Sequence, residues 1–525
     1  MPLRLFVGRN LQAPVNSWQN FMNDTLRLCF RAMAGTAVLL LLMPSVFSGA
    51  DDPPNIILCM GDDHGWDETG YNGHPHLQTP VLDEIAASGL RLDRFYSAHP
   101  SCSPTRGSVM TGRHPNRYGT FAPNYSIRPE EISIAWILQK AGYSCGHFGK
   151  WHLGPVKAAS PTSPGAMGFH QWLSHDNFFE LNPTFSRNGA SPEQFKGESS
   201  EIVIRETIRF LETAQQNGKP FFAVVWFGSP HEPYSGLKKD LALYTDLPQE
   251  YADRQVTLTS NKTGRQTRRP LRDVLQERYA EITAMDRAMG QLRKWLGDNG
   301  QRQNTLLWYC GDNGTPRDGI VTSPFRGQKG TMYEGGIRVP GLIEWPERIS
   351  QPSQSEVNTV TSDMLPTICE LLDVPLPERP LDGISLKPLI DGVMTERSAP
   401  ICFWSFKGGN GAGAEPYIAS ELQSGTTPLV KMTGDIYTRN FRNFHHSGIS
   451  KNNFDGDRVL LGNRYKLLVR GLGEDEQTEL YDVRSDPGEE HNVFASMPEI
   501  GTQLRHQLQD WQQSVLQSLT GADYE

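Results

Sequence analysis

The sequence predicts an α/β fold: a doubly wound sheet with helices on both faces, followed by a smaller α+β domain. Three observations predict it. Apolar runs of strand length recur along most of the chain, amphipathic stretches of helical spacing separate them, and from about Ala399 this alternation gives way to strand-like segments and one final helix. Asn55–Met60 (NIILCM) is the first strand, a continuous apolar run of the kind buried on both faces of a parallel sheet. Thr79–Ser88 is a helix with a proline near its start, Ile132–Ala141 a second helix closed by Gly142, and Tyr143–His147 a short strand. Glu201–Gln216 places Ile202, Ile204, Ile208 and Leu211 in helical register, and Phe221–Phe227 (FFAVVWF) is another buried strand. Leu275–Leu296 is a long helix, and Asn304–Tyr309 returns to strand. Residues 235–275 are polar and irregular, which suits a surface insertion. After Ala399, Pro400–Phe406 and Tyr465–Arg470 are strands, Asp486-Pro487-Gly488 is a turn, and Glu499–Leu516 is the last helix. The glycine-rich stretch Gly408–Gly413 reads as a loop near the junction.

The 525 residues are 37% hydrophobic and 21% charged, enough apolar material for a full core and too much for a disordered chain. A net charge of −9 argues against general nucleic-acid binding, although a local pocket can still be basic. Seven cysteines are too few for a disulfide scaffold, and Cys59, Cys145 and Cys310 lie in strand-like runs as buried free thiols. The first strand is not followed by G-x-G-x-x-G, so a dinucleotide fold gains no support. At the start of the chain, Arg27 and Arg31 precede the apolar run Ala37–Met43, and Ser48-Gly49-Ala50 follows with small residues. That is the layout of a secretory signal peptide, too short to span a bilayer. The expected organisation is a signal over residues 1–50 (with Met22 as an alternative start), a catalytic domain over 51–398, and a smaller domain over 399–525. Export places the protein outside the cell or in a periplasm, with no stable membrane span.

Polar groups collect at the ends of the predicted strands. Asp62 and Asp63 follow the first strand, Lys150 and His152 the second, Ser229-Pro230-His231 the third, and Asp312 and Asn313 the fourth. Ligands of open α/β sheets bind beyond the carboxyl ends of the strands. If these strands are parallel neighbours, all these groups meet at one rim. Asp62, Asp63, Asp312 and Asn313 then offer hard oxygen ligands suited to Ca²⁺ or Mg²⁺. Lys150, His152 and His231 add cationic or donor groups, a combination that suits a tetrahedral oxyanion ester.

The segment Cys102-Ser103-Pro104-Thr105-Arg106 continues to Thr111-Gly112-Arg113. It resembles the type I sulfatase signature C-x-P-S-R-x-x-x-L-T-G-R, with Thr105 in place of Ser and Met110 in place of Leu. Gly142-Tyr143 through Gly149-Lys150-Trp151-His152 resembles the second motif of that family, and Gly330–Gly336, preceded by Lys329, its second lysine motif. Glu479–Asp482, Asp486-Pro487 and Glu490-His491-Asn492 are similar to its C-terminal signature. The likeness runs from about Pro54 to about Leu516 and is of the arylsulfatase and N-acetylgalactosamine-6-sulfatase kind, in its secreted bacterial form.

The resemblance implies an alkaline-phosphatase-like mixed sheet and an enzyme that hydrolyses sulfate esters. It implies that a maturation enzyme oxidises Cys102 to Cα-formylglycine, whose hydrate attacks sulfur and later expels sulfate. Residue 102 together with Asp62, Asp63, Asp312 and Asn313 would hold Ca²⁺, with Mg²⁺ as the other choice. Arg106 would orient the nucleophile and offset charge, Lys150 and Lys329 would bind sulfate oxygens, His152 would take the proton that releases sulfate, and His231 would donate to the leaving alcohol. The family gives His147 no role, so it reads as structural, and His64 reads as a neighbour of the metal pair rather than a ligand.

The leaving group is read by loops. Ser174–Phe179 mixes polar groups with aromatic faces, which suits a sugar ring, and His175 and Asp176 are the expected substrate contacts. A sulfated carbohydrate or an aryl sulfate is therefore the expected substrate. Two alternatives share the same residues: a phosphate or phosphonate monoester hydrolase, and a non-catalytic glycan-binding protein should Cys102 stay unoxidised.

Overall fold

The structure is a computed structural model that describes residues 52–260, 263, 265–407, 414–428 and 440–525; the expected signal segment and the Gly408–Gly413 loop lie outside the described residues. Pro53–Glu525 forms one compact unit. Its centre is a ten-stranded sheet. In chain order the strands are β1 (Asn55–Gly61), β2 (Leu90–Leu92), β3 (Ser144–Lys150), β4 (Gln171–His175), β5 (Thr184–Arg187), β6 (Glu193–Gln194), β7 (Phe221–Trp226), β8 (Thr305–Gly311), β9 (Gly341–Glu344) and β10 (Ser353–Ser355). In space they run β10-β2-β9-β8-β1-β7-β3-β4-β5-β6. The central strands β8, β1, β7, β3 and β4 are parallel neighbours, while β9 and β5 pair antiparallel at either side, so the sheet is mixed.

Parallel strands buried on both faces need apolar residues at every position, and β1 supplies them. Ile56, Leu58 and Met60 point to one core, Ile57 and Cys59 to the other. Among the described residues the longer helices are α1 (Pro80–Ser88), α2 (Cys102–Thr111), α3 (Ile134–Lys140), α4 (Ser199–Gln216), α5 (Leu271–Asp298), α6 (Met364–Leu371) and α7 (Pro498–Leu519). The first core is covered by Val109 and Met110 of α2, Leu138 of α3 and Leu365 of α6. The second is covered by Leu82 of α1, Phe210 of α4 and Met285 of α5. Helices therefore lie on both faces, as the alternating pattern predicts.

A second sheet, antiparallel and four-stranded, consists of β11 (Ile401–Trp404), β12 (Arg458–Leu461), β13 (Tyr465–Arg470) and β14 (Gln477–Asp482) in that order. Alternation along β13 again divides two faces. Leu467 and Val469 pack with Leu508 of α7, while Leu468 packs with Met332, Ile337 and Val360 of the larger region. Buried Lys466 on β13 pairs with Glu334 and Glu489 at 3.0 and 2.8 Å. The small sheet is thus built into the same compact unit as the large one.

Three details depart from the sequence reading. Within 235–275 a hairpin forms, Gln255–Thr259 against Gln266–Pro270. Strand β3 continues past His147 to Lys150, because Gly149, with φ of 103°, lets the chain pass beside Trp226, whose carbonyl oxygen would lie 1.8 Å from any Cβ there. Residues 102–111 form a helix that no apolar stripe announces, since all ten residues are buried.

Candidate active site

The parallel order β8-β1-β7-β3 places the four strand ends side by side, and the groups that follow them meet at one rim. Asp62 lies immediately past β1, Asp312 past β8, and Lys150 ends β3. Lys150 Nζ donates to Asp62 Oδ2 at 2.6 Å. The backbone N–H of Asp63 donates to Asp312 Oδ1 at 2.8 Å, and Asn313 Nδ2 to Asp63 Oδ1 at 2.9 Å. Lys329 reaches in from the loop after β8, with Nζ 2.7 Å from Asp63 Oδ2. Its backbone is fixed by the Thr315 carbonyl, and that of Gly330 by the Pro100 carbonyl.

The first turn of α2 supplies the other groups. Cys102 begins the helix, its Sγ 3.8 Å from Asp63 Oδ1. Arg106, one turn on, is fully buried. It donates from Nη2 and Nε to Asp312 Oδ2 at 2.7 and 3.2 Å and from Nη1 to the Lys150 carbonyl at 3.2 Å, with the Trp226 ring 5.1 Å away. Ser103 Oγ donates to the His152 carbonyl at 2.5 Å. Asp63 and His152 have φ of 61° and 57°, conformations that non-glycine residues adopt sparingly and that concentrate at functional sites.

The ligand atoms of Asp62, Asp63, Cys102 and His231 all lie within 4.8 Å of one another. Asp62 Oδ1 and Asn313 Oδ1 are buried without a hydrogen-bond partner. Buried polar atoms are normally satisfied, so the unpartnered Asp62 oxygen within the carboxylate cluster fits a hard cation, while Asn313 turns its Nδ2 rather than its Oδ1 toward Asp63. Burial and the nearby Asp62 charge push the Asp312 carboxyl up to about 6, against the pull of Arg106. Burial opposes ionisation of Asp63, but Lys329, His231 and Lys150 hold its carboxyl below the usual range. Burial and then Asp312 push the Cys102 thiol well up.

Burial lowers His231 to about 3 and His152 well below its ordinary value, so both imidazoles are neutral near pH 7. His231 Nδ1 lies 2.5 Å from the Glu232 carbonyl, which can only accept, so the proton sits on Nδ1 and Nε2 faces Asp63 Oδ2 at 3.7 Å. Phe178 stacks on the His231 ring, centroids 4.7 Å apart and planes within 12°.

A cleft of about 180 Å³ opens onto these groups. Cys102, His152, His231 and Lys329 line it, together with Pro123, Asn124, Asn177 and Phe178. The expected substrate contacts need correction. His175 ends β4 and is buried, its Nε2 bonded to the Pro428 carbonyl at 3.1 Å. Asp176 is fully buried and accepts from the backbone N–H groups of Val156 and Thr427 at 2.8 and 2.7 Å, and from that of Thr426. Neither lines the cleft. The next two residues do, because the chain turns out of β4 only after His175. His147 is enclosed by Trp151 and Trp226 with Nδ1 on Ser174 Oγ, a structural placement. His64 bonds Tyr309 and the Glu68 carbonyl behind the carboxylates. Asn124 and Pro123 lie in a loop that carries no motif, and nothing in the sequence singles them out.

The model of the sulfatase family matches residues 54–374. The N-acetylgalactosamine-6-sulfatase of Mus musculus is 30% identical over 397 residues, which span 68% of this chain and 70% of that protein. The arylsulfatase A of Homo sapiens is 29% identical over 483 residues, spanning 85% and 84%. Among solved structures, Ps i-CgsB in complex with k-i-k-neocarrahexaose superposes with a TM-score of 0.69 at 22% identity, covering 88% of this chain and 93% of that one. The strand-end cluster therefore sits in the fold these proteins share, and the chain belongs to the sulfatase family, as a sulfuric ester hydrolase.

Proposed function

We propose that this sulfatase removes sulfate from a sulfated glycan, that a maturation enzyme converts Cys102 to Cα-formylglycine, and that Asp62, Asp63, Asp312 and Asn313 hold a divalent cation, Ca²⁺ or Mg²⁺. The observation that carries it is the position of residue 102, at the first turn of α2 and inside the carboxylate cluster. The unmodified thiol, held protonated by burial and by Asp312, is a weak nucleophile. Asn313 can present its amide oxygen to a cation by half a turn of the side-chain amide. When present, the aldehyde supplies a hydrated nucleophile and the cation supplies charge compensation for it and for the sulfate oxygens.

The chain's own groups divide the remaining work. Lys150 and Lys329 bind sulfate oxygens from two sides of the rim. Arg106 holds Asp312 and the Lys150 carbonyl, and so keeps the carboxylate and the lysine in register. His152 is neutral with Nδ1 unpartnered, which suits a proton acceptor. His231 faces the leaving-group side; with its Nδ1–H held by the Glu232 carbonyl, its Nε2 takes up a proton as the anionic ester binds beside it and passes that proton to the departing oxygen. Asn124, Asn177 and Phe178 offer amides and an aromatic face to a sugar ring, and the names of the relatives point the same way.

The pattern of residues 1–50 supports export to a periplasm or the exterior. Among the described residues no helix is long and apolar enough to cross a membrane. The test is the mass of the peptide bearing residue 102 together with sulfate release from sulfated glycans, 4-nitrophenyl sulfate and 4-nitrophenyl phosphate. An aldehyde at residue 102 with sulfate release is the expected result. An unmodified cysteine without turnover favours a binder, and faster turnover of the phosphate favours a phosphoesterase.

A further inference from the structure

Arg278 leaves α5 beneath the strand ends and is fully buried. Its guanidinium bridges the loops that follow β1 and β7. Nε and Nη2 donate to the two carboxylate oxygens of Glu68 at 2.6 Å each, and Nη2 also to the Asp63 carbonyl at 2.7 Å. Nη1 donates to the Pro230 carbonyl at 2.7 Å and to the Tyr234 hydroxyl at 3.0 Å. Tyr234 in turn donates to Asp318 at 2.5 Å. Asp63, Pro230 and Asp318 follow three different strands, β1, β7 and β8. At Gly319 a Cβ would fall 2.7 Å from Arg278 Nε, so the third loop closes on the guanidinium where it has no side chain. Glu68 balances the buried charge and is held by Thr315 Oγ1 and the Gly65 N–H.

We propose that Arg278 is a positioning residue for sulfate-ester cleavage: one guanidinium ties the carbonyl of Asp63 to that of Pro230 and so fixes His231, the next residue, 3.7 Å from the Asp63 carboxylate. It rests on His231 as proton donor to the leaving group. A lysine cannot replace it, since a single ammonium lacks the planar fork that serves two loops and a carboxylate at once.

The experiment uses full-length protein whose residue 102 has been verified by mass, in wild-type form and as Arg278→Lys, Gly319→Ala, His231→Ala and the double variant of Arg278 and His231. kcat and KM are measured on 4-nitrophenyl sulfate, which has a good leaving group, and on phenyl sulfate, which needs more proton donation. Thermal midpoints are recorded alongside. The expected result is that His231→Ala lowers kcat mainly on phenyl sulfate and that Arg278→Lys shows the same tilt, about 10²-fold on that substrate, as a displacement near 1 Å would produce. Arg278→Lys should add little in the His231→Ala background. An equal loss on both substrates, or full additivity with His231→Ala, overturns the role of Arg278. The absence of a tilt in His231→Ala itself overturns the proton-donor assignment on which it rests. If Arg278→Lys does not fold, Gly319→Ala, which keeps every donor and crowds Nε, carries the same comparison.

Discussion

Replacing Asp176 by alanine tests whether this carboxylate serves the fold or the substrate. It is fully buried and accepts three backbone N–H groups, from Val156, Thr426 and Thr427, and the Thr427 hydroxyl at 3.0 Å. Val156 and Thr427 are themselves inaccessible, so water cannot replace the lost acceptor without opening the loop. Each hydrogen bond to a charged group contributes about 1.5–3 kcal/mol, and a shared acceptor makes them less than additive, so a loss of about 4 kcal/mol is expected. That is a large part of the roughly 5–15 kcal/mol that holds a domain folded. In hydrogen exchange the Thr426 and Thr427 amides should open about 10³-fold more readily, at about 1.4 kcal/mol per factor of ten. Asp176→Asn keeps one acceptor oxygen and should recover part of the loss. KM on 4-nitrophenyl sulfate, measured well below the unfolding midpoint, should move by less than about twofold, because no side-chain atom of Asp176 lines the cleft. An unchanged denaturation midpoint combined with a raised KM would refute this account and restore Asp176 as a substrate contact.

Chelation should lower both sulfate release and the thermal midpoint, and Ca²⁺ should restore both; a cation at about 100 times its Kd contributes about 2.7 kcal/mol, so an unmoved midpoint counts against the carboxylate site. Phe178→Ala removes the face stacked on His231 and should lower kcat/KM on phenyl sulfate about tenfold, from an aromatic pair of about 1.4 kcal/mol, with the midpoint little changed. Asp382, paired with Arg117 at 2.7 Å and accepting from Trp511 Nε1 of α7 at 2.8 Å, has its carboxyl held low by Arg117 against the opposing effect of burial. Its contribution is therefore present above the ordinary value of 3.8 and lost as pH falls through the lower folded value, so the stability gap between wild type and Asp382→Asn should be wide at pH 7 and should close in acid. A gap that stays constant down to strong acid would show that Asp382 acts by shape alone.

What was legible in the sequence follows from how each group is held. Asp62, Asp63, Asp312 and Lys150 stand at the ends of strands buried on both faces, and such strands announce themselves as unbroken apolar runs, so the polar residue that follows is conspicuous. Cys102 and Arg106 were visible only through the motif, because a helix buried all round has no apolar stripe. His175 and Asp176 stand two residues short of the cleft: strand β4 extends to His175, and the side chains that reach the cleft are those of Asn177 and Phe178. Arg278 was invisible for the opposite reason. A lone arginine on an amphipathic helix reads as part of the solvated face, yet here Glu68 receives it and the loop at Gly319 closes over it.

The charge balance at the rim bears on which ester the site turns over. Asp62, Asp63 and Asp312 face Arg106, Lys150 and Lys329, so the protein's own charges there cancel, with His152 and His231 neutral. With a divalent cation bound the site carries an excess of two positive charges. 4-Nitrophenyl sulfate, whose good leaving group needs little proton donation from His231, brings one negative charge and develops a second on the leaving oxygen only as the ester bond breaks, so the match is completed in the transition state. A phosphate monoester has its second pKa near 6 and is already close to doubly charged at neutral pH, so the same site satisfies it before any bond breaks. Binding energy realised in the ground state lowers KM without raising kcat. On 4-nitrophenyl phosphate the enzyme should therefore show a KM at or below that for the sulfate and a kcat lower by a factor of 10 or more, about 1.4 kcal/mol of barrier. A phosphate kcat equal to that for the sulfate would mean that the rim's charge does not select between the two esters, since the 4-nitrophenyl leaving group is common to both.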